Sequence, residues 1–440
     1  MIKKHAKNIY KNKFFKCVLI VASGTALSQL ISIAFSPILT RLYSPEAFGV
    51  LGAFNSLTAI LVPIVALSYP IAIILPKDDL EALGVAKLSF SIALILTAVI
   101  TVFLIIGGDS LLKIFALEGI PAIIYIIPVF LLVSTGVQIG RQWLIRKKQF
   151  MVTANASVLQ YLGIGTTKVG LGFIYPVSLT LILLTTISEA FHVFLLWLGI
   201  RKVGFEHSRN DVSTLNLRDL AKKYKDFPLF RTPEVTITAL AHSLPPLFLI
   251  SFFGPASAGF YALGKKIMAL PSRLISKSVG DVFYPHITEA AHKGKNLTRL
   301  ILKSTLVLAG VGFIPYAIVI LFGPWLFSFV FGPEWYVAGE YARWLSVWLY
   351  FGFLNNPSIK ALPVLKAQKF HLIYSTILIF IRLGTLVFGF YFYKSDLVAI
   401  ALYSVSGAVF NIVLIIIVFF IAKKYDSQTV AAVKNQNERI

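Results

Sequence analysis

Twelve apolar runs of membrane-crossing length leave few folds open to this chain. They lie near 17–40, 50–75, 86–107, 121–140, 151–174, 177–200, 227–253, 258–284, 300–322, 336–362, 370–392 and 397–421. A helix needs about 20 apolar residues to cross the hydrocarbon core. The first, third, sixth, ninth and twelfth runs are the clearest, and the seventh, eighth and tenth carry charges inside. Only 14% of the residues are charged and 57% are hydrophobic, whereas a soluble domain is about 25% charged. The expected fold is an all-α integral membrane protein. It has about 12 transmembrane helices in two six-helix bundles, related by a pseudo-two-fold along the membrane normal.

The chain carries 41 Lys and Arg against 19 Asp and Glu, a net charge of +22. The excess sits in short loops between the apolar runs, which is the pattern of cytoplasmic loops beside anionic lipid rather than of a nucleic-acid partner. The N-terminal arm holds Lys3, Lys4, Lys7, Lys11, Lys13 and Lys16. The loops that would share its side hold Arg141, Arg146, Lys147, Lys148, then Arg201 to Lys225, then Lys293, Lys295, Arg299, Lys366, Lys369, Lys423 and Lys424. The opposite loops hold little beyond Arg41, Lys113 and Lys394. Both termini are therefore expected in the cytoplasm. The basic start followed by an apolar stretch is similar to a signal peptide, but the stretch is long and lacks a cleavage site, so it reads as the first span. Cys17 stands alone, which excludes an intrachain disulfide and a cysteine zinc cage.

The long polar connection 201–226 divides the chain into an N-terminal bundle, 1–200, and a C-terminal bundle, 227–422, followed by a tail, 423–440. The halves echo one another. Tyr43-Ser44-Pro45-Glu46-Ala47-Phe48-Gly49 leads into the second run, and Phe253-Gly254-Pro255-Ala256-Ser257-Ala258-Gly259 leads into the eighth. Each of these helices is expected to close on a Tyr-Pro pair, Tyr69-Pro70 and Tyr284-Pro285. Pro starts a helix well and Gly permits close approach.

These residues carry a resemblance. Pro37 to Gly49 resembles the first-loop motif of the polysaccharide exporters, the O-antigen repeat-unit flippases. Gly259-Phe260-Tyr261-Ala262-Leu263, Phe331-Gly332-Pro333-Glu334-Trp335 and Ala338-Gly339-Glu340-Tyr341 resemble further segments of that family. The resemblance covers nearly the whole chain and extends to the superfamily that also holds multidrug exporters and peptidoglycan-precursor flippases. It implies a bacterial inner-membrane transporter, not an enzyme, with no cofactor. The implied substrate is an oligosaccharide on undecaprenyl diphosphate, and polysaccharide polymerase machinery is a candidate partner.

Charges inside membrane helices cost several kcal/mol and mark candidate sites. The eighth run holds Lys265, Lys266, Arg273, Lys277 and Asp281. Lys266, Arg273 and Lys277 fall within roughly 40° on one helix face, and Asp281 follows Lys277 by one turn. Such a stripe suits phosphate oxygens; the plainer alternative is snorkelling toward the surface. Lys168, Arg343, Arg382 and Arg41 are further isolated cations. The first run also carries Thr25, Gln29, Ser32 and Ser36 at helical spacing, a stripe that either meets sugar hydroxyls or packs helices. Glu189 near His192, Glu234 near Arg231, and Asp281 are the acidic candidates for ion coupling, with structural pairing the alternative. No Walker loop, dinucleotide fingerprint, nucleophile elbow or zinc pattern occurs, and Asp78-Asp79 is too isolated for a glycosyltransferase metal site. Two other readings stay open: a multidrug or cation exporter of the same architecture, and a membrane polymerase or ligase of polysaccharide.

Overall fold

The computed structural model describes residues 24, 26–115, 120–203 and 216–437, with side chains throughout except at 203, 271–282, 292 and 429–437. Every element among the described residues is a helix. We number the principal helices α1 Ala26–Leu42, α2 Pro45–Ala66, α3 Tyr69–Ala72, α4 Asp79–Ile114, α5 Ile123–Arg146, α6 Phe150–Gly172, α7 Ser178–Val203, α8 Leu217–Lys223, α9 Thr232–Phe253, α10 Pro255–His292, α11 Leu297–Phe331, α12 Tyr336–Leu354, α13 Asn356–Ala361, α14 Gln368–Phe388 and α15 Asp396–Asn437. The described part of each apolar run is mainly helical, with 50–75 and 336–362 each divided between two helices; residues 17–23 and 25 of the first run lie outside the described residues. Eight described helical stretches are long and apolar enough to cross a membrane by length and composition. α6 is less apolar chiefly through uncharged polar residues such as Asn155, Gln160 and Thr166, while α10 and α12 carry the Lys265, Lys266 and Arg343 charges.

The exposed side chains show what surrounds the helices. On α4, Phe103 is 71% exposed and Ile106 is 79% exposed. Apolar faces of this kind suit lipid and would be an aggregation hazard in water. α4 has 36 residues, which gives it a length of about 54 Å. It therefore outruns a hydrocarbon core of about 30 Å.

The chain forms two compact units, Met1–Gly259 and Phe260–Ile440. In the first, α9 packs along α2, α4 packs on α5, α5 on α7, and α7 on α6. Its tightest point joins the two echoing segments. Ser44 caps α2 by accepting a hydrogen bond from the Ala47 N–H, with Pro45 at the first helical position. Gly254, at φ 90°, ends α9, and Pro255 opens α10. A Cβ on Gly49 would stand 1.7 Å from the Pro255 carbonyl oxygen, and one on Gly259 would stand 2.0 Å from that of Pro45. The contact is reciprocal, at the constant offset of the sequence repeat, and only glycine fits either position.

The Tyr-Pro pairs do not close the helices as expected. α2 stops at Ala66 because Leu67 and Ser68 turn left-handed, at φ 44° and 53°. Tyr69-Pro70 then opens α3, since Pro is favoured in a first turn. Tyr284-Pro285 lies inside α10, which runs on to His292.

A polar cluster ties α3, α4, α5 and α8. Asp79 accepts from Arg146 Nε at 2.9 Å and from Lys147 Nζ. Arg146 also donates to the carbonyls of Ile73, Ile74, Pro76 and Lys77. Glu81 accepts from the Tyr224 hydroxyl at 2.8 Å and from Lys223. That bond holds the Lys223 ammonium above its ordinary pKa. Asp79 is thus a clamp for the turn between α3 and α4.

In the second unit α11 packs along α12, and α12 along α15. Gly323 and Gly339 bring the backbones of α11 and α12 together. The start of α11 is capped from a distance. Asp426 of α15 accepts from the Leu297 and Thr298 N–H groups, both at 2.9 Å, and from the Thr298 hydroxyl at 2.7 Å.

The glycine interlock gives a direct test. Gly49→Val forces a side chain into the Pro255 carbonyl, an overpacking worth about 1–3 kcal/mol or more. The expected result is a lowered unfolding midpoint and reduced monodisperse protein by size-exclusion chromatography after heating. Gly107→Ala, at a position with nothing within 4 Å, is the control and is expected to match the parent.

Candidate functional site

The most unusual charge in the described residues is Arg382, near the middle of the α14 span. Its guanidinium carbon lies 3.6 Å from the centre of the Trp348 ring on α12 and 3.8 Å from that of Tyr403 on α15. Tyr403 meets Trp348 edge-on at 5.6 Å and Tyr261 of α10 at 6.5 Å. One turn beyond Tyr261, the Lys265 ammonium stands 5.3 Å from the Tyr261 ring. Lys266, the next residue, is half-buried. Four helices of the second unit thus converge on an aromatic box holding one cation and bordered by another.

Local sequence explains the box. Tyr403 and Gly407 are one turn apart on α15, so the ring and the bare backbone share a face. A Cβ on Gly407 would stand 2.7 Å from Trp348 Cδ1 and 3.1 Å from Arg382 Nε. Glycine there lets α15 close over the guanidinium. Tyr261 is fully buried and Tyr403 nearly so.

Magnitudes indicate what the box lacks. An Arg at the centre of a membrane helix costs about 2.5–3.5 kcal/mol on insertion scales. Each desolvated stack returns up to about 2 kcal/mol. The two rings therefore roughly offset the charge. The Tyr403 hydroxyl lies within reach of the guanidinium, but Nε and Nη2 are buried with no hydrogen-bond partner among the described residues. Those two atoms form one edge of the fork that grips phosphate or carboxylate. An unsatisfied buried donor costs about 1–3 kcal/mol, which an entering anion would recover.

The other candidates are placed as follows. Arg273, Lys277 and Asp281 lie on the α10 backbone, with side chains outside the described residues. Lys168 of α6 donates to the Thr185 hydroxyl of α7 at 3.0 Å, and Tyr43 donates to the Lys168 carbonyl at 2.9 Å. Arg41 is exposed at the end of α1, and Gln29 is half-buried on the same helix. Ser36 and Thr40 are buried and donate to carbonyls one turn back in their own helix, at 2.9 Å each. This part of the α1 polar stripe packs helices. Glu189 of α7 is partly buried, with Arg141 and Gln160 nearby; the Gln160 amide donates to the Ser188 carbonyl and hydroxyl. His192, the neighbour of Glu189, is buried. Glu234 pairs with Arg231 at 2.8 Å on an exposed face, and Arg343 pairs with Glu340 at 3.2 Å. Among the described residues no group of His, Cys, Asp or Glu could hold a metal ion.

Of the expected cations, the structure gathers Lys265 and Arg382 at one place through rings that sequence reasoning passed over. Trp348, Tyr261 and Tyr403 are ordinary membrane-helix residues by pattern. The sole hint was Tyr261 inside the Gly259-Phe260-Tyr261 segment.

A family profile described as polysaccharide biosynthesis protein matches residues 38–340. The chain is similar to the structure of a lipid II flippase, MurJ, in an inward closed conformation, with a TM-score of 0.69 and 14% identity over 94% of this chain and 91% of that one. It is also similar to an outward-facing multidrug resistance MATE family transporter of the MOP superfamily, with a TM-score of 0.56 and 16% identity over 94% of this chain and 96% of that one. No curated protein matches in sequence. At these identities the likeness shows the fold. The all-α membrane class and the layout of about twelve helices in two bundles fit it.

Replacing a charge that is poorly provided for should reveal its cost. Arg382→Met keeps the volume and removes the unsatisfied donors. Exchanges of buried charge for apolar side chains often stabilise by about 1–4 kcal/mol. The expected outcome is a raised unfolding midpoint in detergent, read from the fluorescence of the adjacent Trp348.

Proposed function

We propose that this chain, which belongs to the polysaccharide biosynthesis protein family, carries a lipid-linked oligosaccharide from the cytoplasmic to the periplasmic leaflet of a bacterial inner membrane. The observation that carries this reading is the Arg382 box. A cation is held by two rings in a membrane helix, with one edge of its fork uncommitted among the described residues. A diphosphate supplies the acceptors such an edge lacks.

In this reading undecaprenyl diphosphate bears the sugar, and alternating access moves it. Lys265, Lys266, Arg273 and Lys277 escort the phosphates along α10, and Lys168, Arg41 and Gln29 serve the first half of the repeat. The repeat-based halves, 1–200 and 227–422, move about the linker 201–226. Both termini face the cytoplasm, on the side where the basic loops and the Arg146 clamp lie. The product feeds O-antigen, capsule or exopolysaccharide synthesis, with a polymerase downstream. Glu189, with its Gln160 and Arg141 neighbours, is the candidate for proton coupling, ahead of the exposed Glu234.

The first test is complementation of a strain lacking the protein. Arg382→Met is expected to be present in the membrane at parental abundance while surface polysaccharide falls at least about tenfold, the loss from about 1.4 kcal/mol of binding. Normal export by this variant sinks the reading.

The second test concerns the driving force. A diphosphate moving outward carries about two negative charges from a negative interior, and each gains about 2.3 kcal/mol per 100 mV. Flipping in sealed vesicles under a potassium-diffusion potential, with no pH or sodium gradient, is expected to follow both the sign and the size of the potential.

A further inference from the structure

A second cavity lies wholly within the first unit. Its volume is about 370 Å³, and it opens among α2, α3, α5 and α9. That places it at the lower end of the range of small-molecule sites, about 300–1,000 Å³. None of its ten lining residues is charged. Its polar groups are Asn55 and Thr58 of α2, Ser68 of the left-handed turn, and Gln138 of α5, and its apolar wall includes Phe130 and Pro63.

The polar groups are unequally committed. Thr58 donates to the Phe54 carbonyl at 2.8 Å, and Ser68 accepts from the Thr232 hydroxyl at 3.1 Å. Each keeps lone pairs. The Asn55 and Gln138 amides make no side-chain hydrogen bond among the described residues, and each carries two donors and an acceptor oxygen. Asn55 is exposed and Gln138 half-buried, so both amides are open to a ligand that enters the cavity. Asn55 shares its α2 face with Thr58, Ala59 and Val62.

We propose that this cavity binds an uncharged sugar ring, a neutral hexose or N-acetylhexosamine. Sugar hydroxyls both donate and accept, which matches amides and hydroxyls better than it matches ions. The apolar C–H face of the ring lies against Phe130 and Pro63. An acidic sugar is disfavoured, because its carboxylate would lose water and meet no cation on the lining. The inference rests on the flippase reading for the lipid that carries the sugar, but not for the sugar site itself.

The test uses the full chain in lipid nanodiscs and two separate probes. The first is a panel of methyl glycosides of glucose, galactose, N-acetylglucosamine and glucuronic acid, followed by saturation-transfer NMR. The second is a short-chain polyprenyl diphosphate without sugar, followed by its binding isotherm. At least one neutral glycoside is expected to bind, and the glucuronide at least about tenfold more weakly. The double variant Asn55→Ala/Gln138→Ala is expected to weaken the neutral glycoside about tenfold, the loss of two hydrogen bonds. It should keep the parental unfolding midpoint and its affinity for the bare lipid diphosphate. Binding that persists in the double variant, a glucuronide that binds as well as the neutral sugars, or silence from every glycoside would each overturn the sugar site. Failure of the bare lipid diphosphate to bind, with neutral glycosides bound as expected, would instead overturn the flippase reading and leave the sugar site standing.

Discussion

The contact of Gly49 with the Pro255 carbonyl, and of Gly259 with that of Pro45, sets how closely α2 approaches the start of α10. At this spacing two backbones touch with no side chain between them, as small residues allow in membranes. Much of the first unit follows from it. α9 is drawn along α2, and the Thr232 hydroxyl reaches Ser68. The left-handed pair Leu67 and Ser68 carries the chain from α2 into α3 and on to the Arg146 clamp. The cavity bearing Asn55 and Gln138 opens among these same helices.

The second unit turns on a balance of a different kind. Lipid gives a buried cation no water, so the protein surrounds Arg382 with ring faces, which compensate charge but leave Nε and Nη2 without acceptors among the described residues. Had a carboxylate stood beside it, the ion pair would be complete and inert. The neighbours Trp348, Tyr403 and Tyr261 leave the cation attracted to its surroundings yet short of partners. This differs from the structural pair of Arg343 with Glu340, and it is the ground of the anion-binding role proposed above.

Hydropathy made the helices legible, since the described part of each apolar run is mainly helical, and the Pro-Gly repeat marked the residues that interlock. Both signals are local. The helix ends were less legible. Tyr-Pro reads as a stop by its proline, but the stop at Ala66 comes from backbone reversal at Leu67 and Ser68, neither of them a residue that favours the left-handed region. At the site, Arg382 stood out because its charge is costly where it stands. Its rings did not, because α10, α12, α14 and α15 bring them together from positions that share no period. The Asp79 clamp was hidden for the same reason, with Arg146 placed 67 residues away by the return of α5. The α1 stripe fits either sugar hydroxyls or helix packing by sequence; the Ser36 hydroxyl bonds a carbonyl of its own helix, which composition does not reveal.

The Asp426 cap has a bearing on how the protein is made. α11 begins at Leu297, but the carboxylate that takes up its first N–H groups is encoded 129 residues later. At about 5–20 residues per second, a ribosome needs roughly 6–26 s to cover that distance. Through this interval Asn296 alone caps α11, accepting from the Arg299 N–H at 2.7 Å. The Leu297 and Thr298 N–H groups gain their carboxylate only as the extension of α15 is delivered. A later helix thus completes the start of an earlier one.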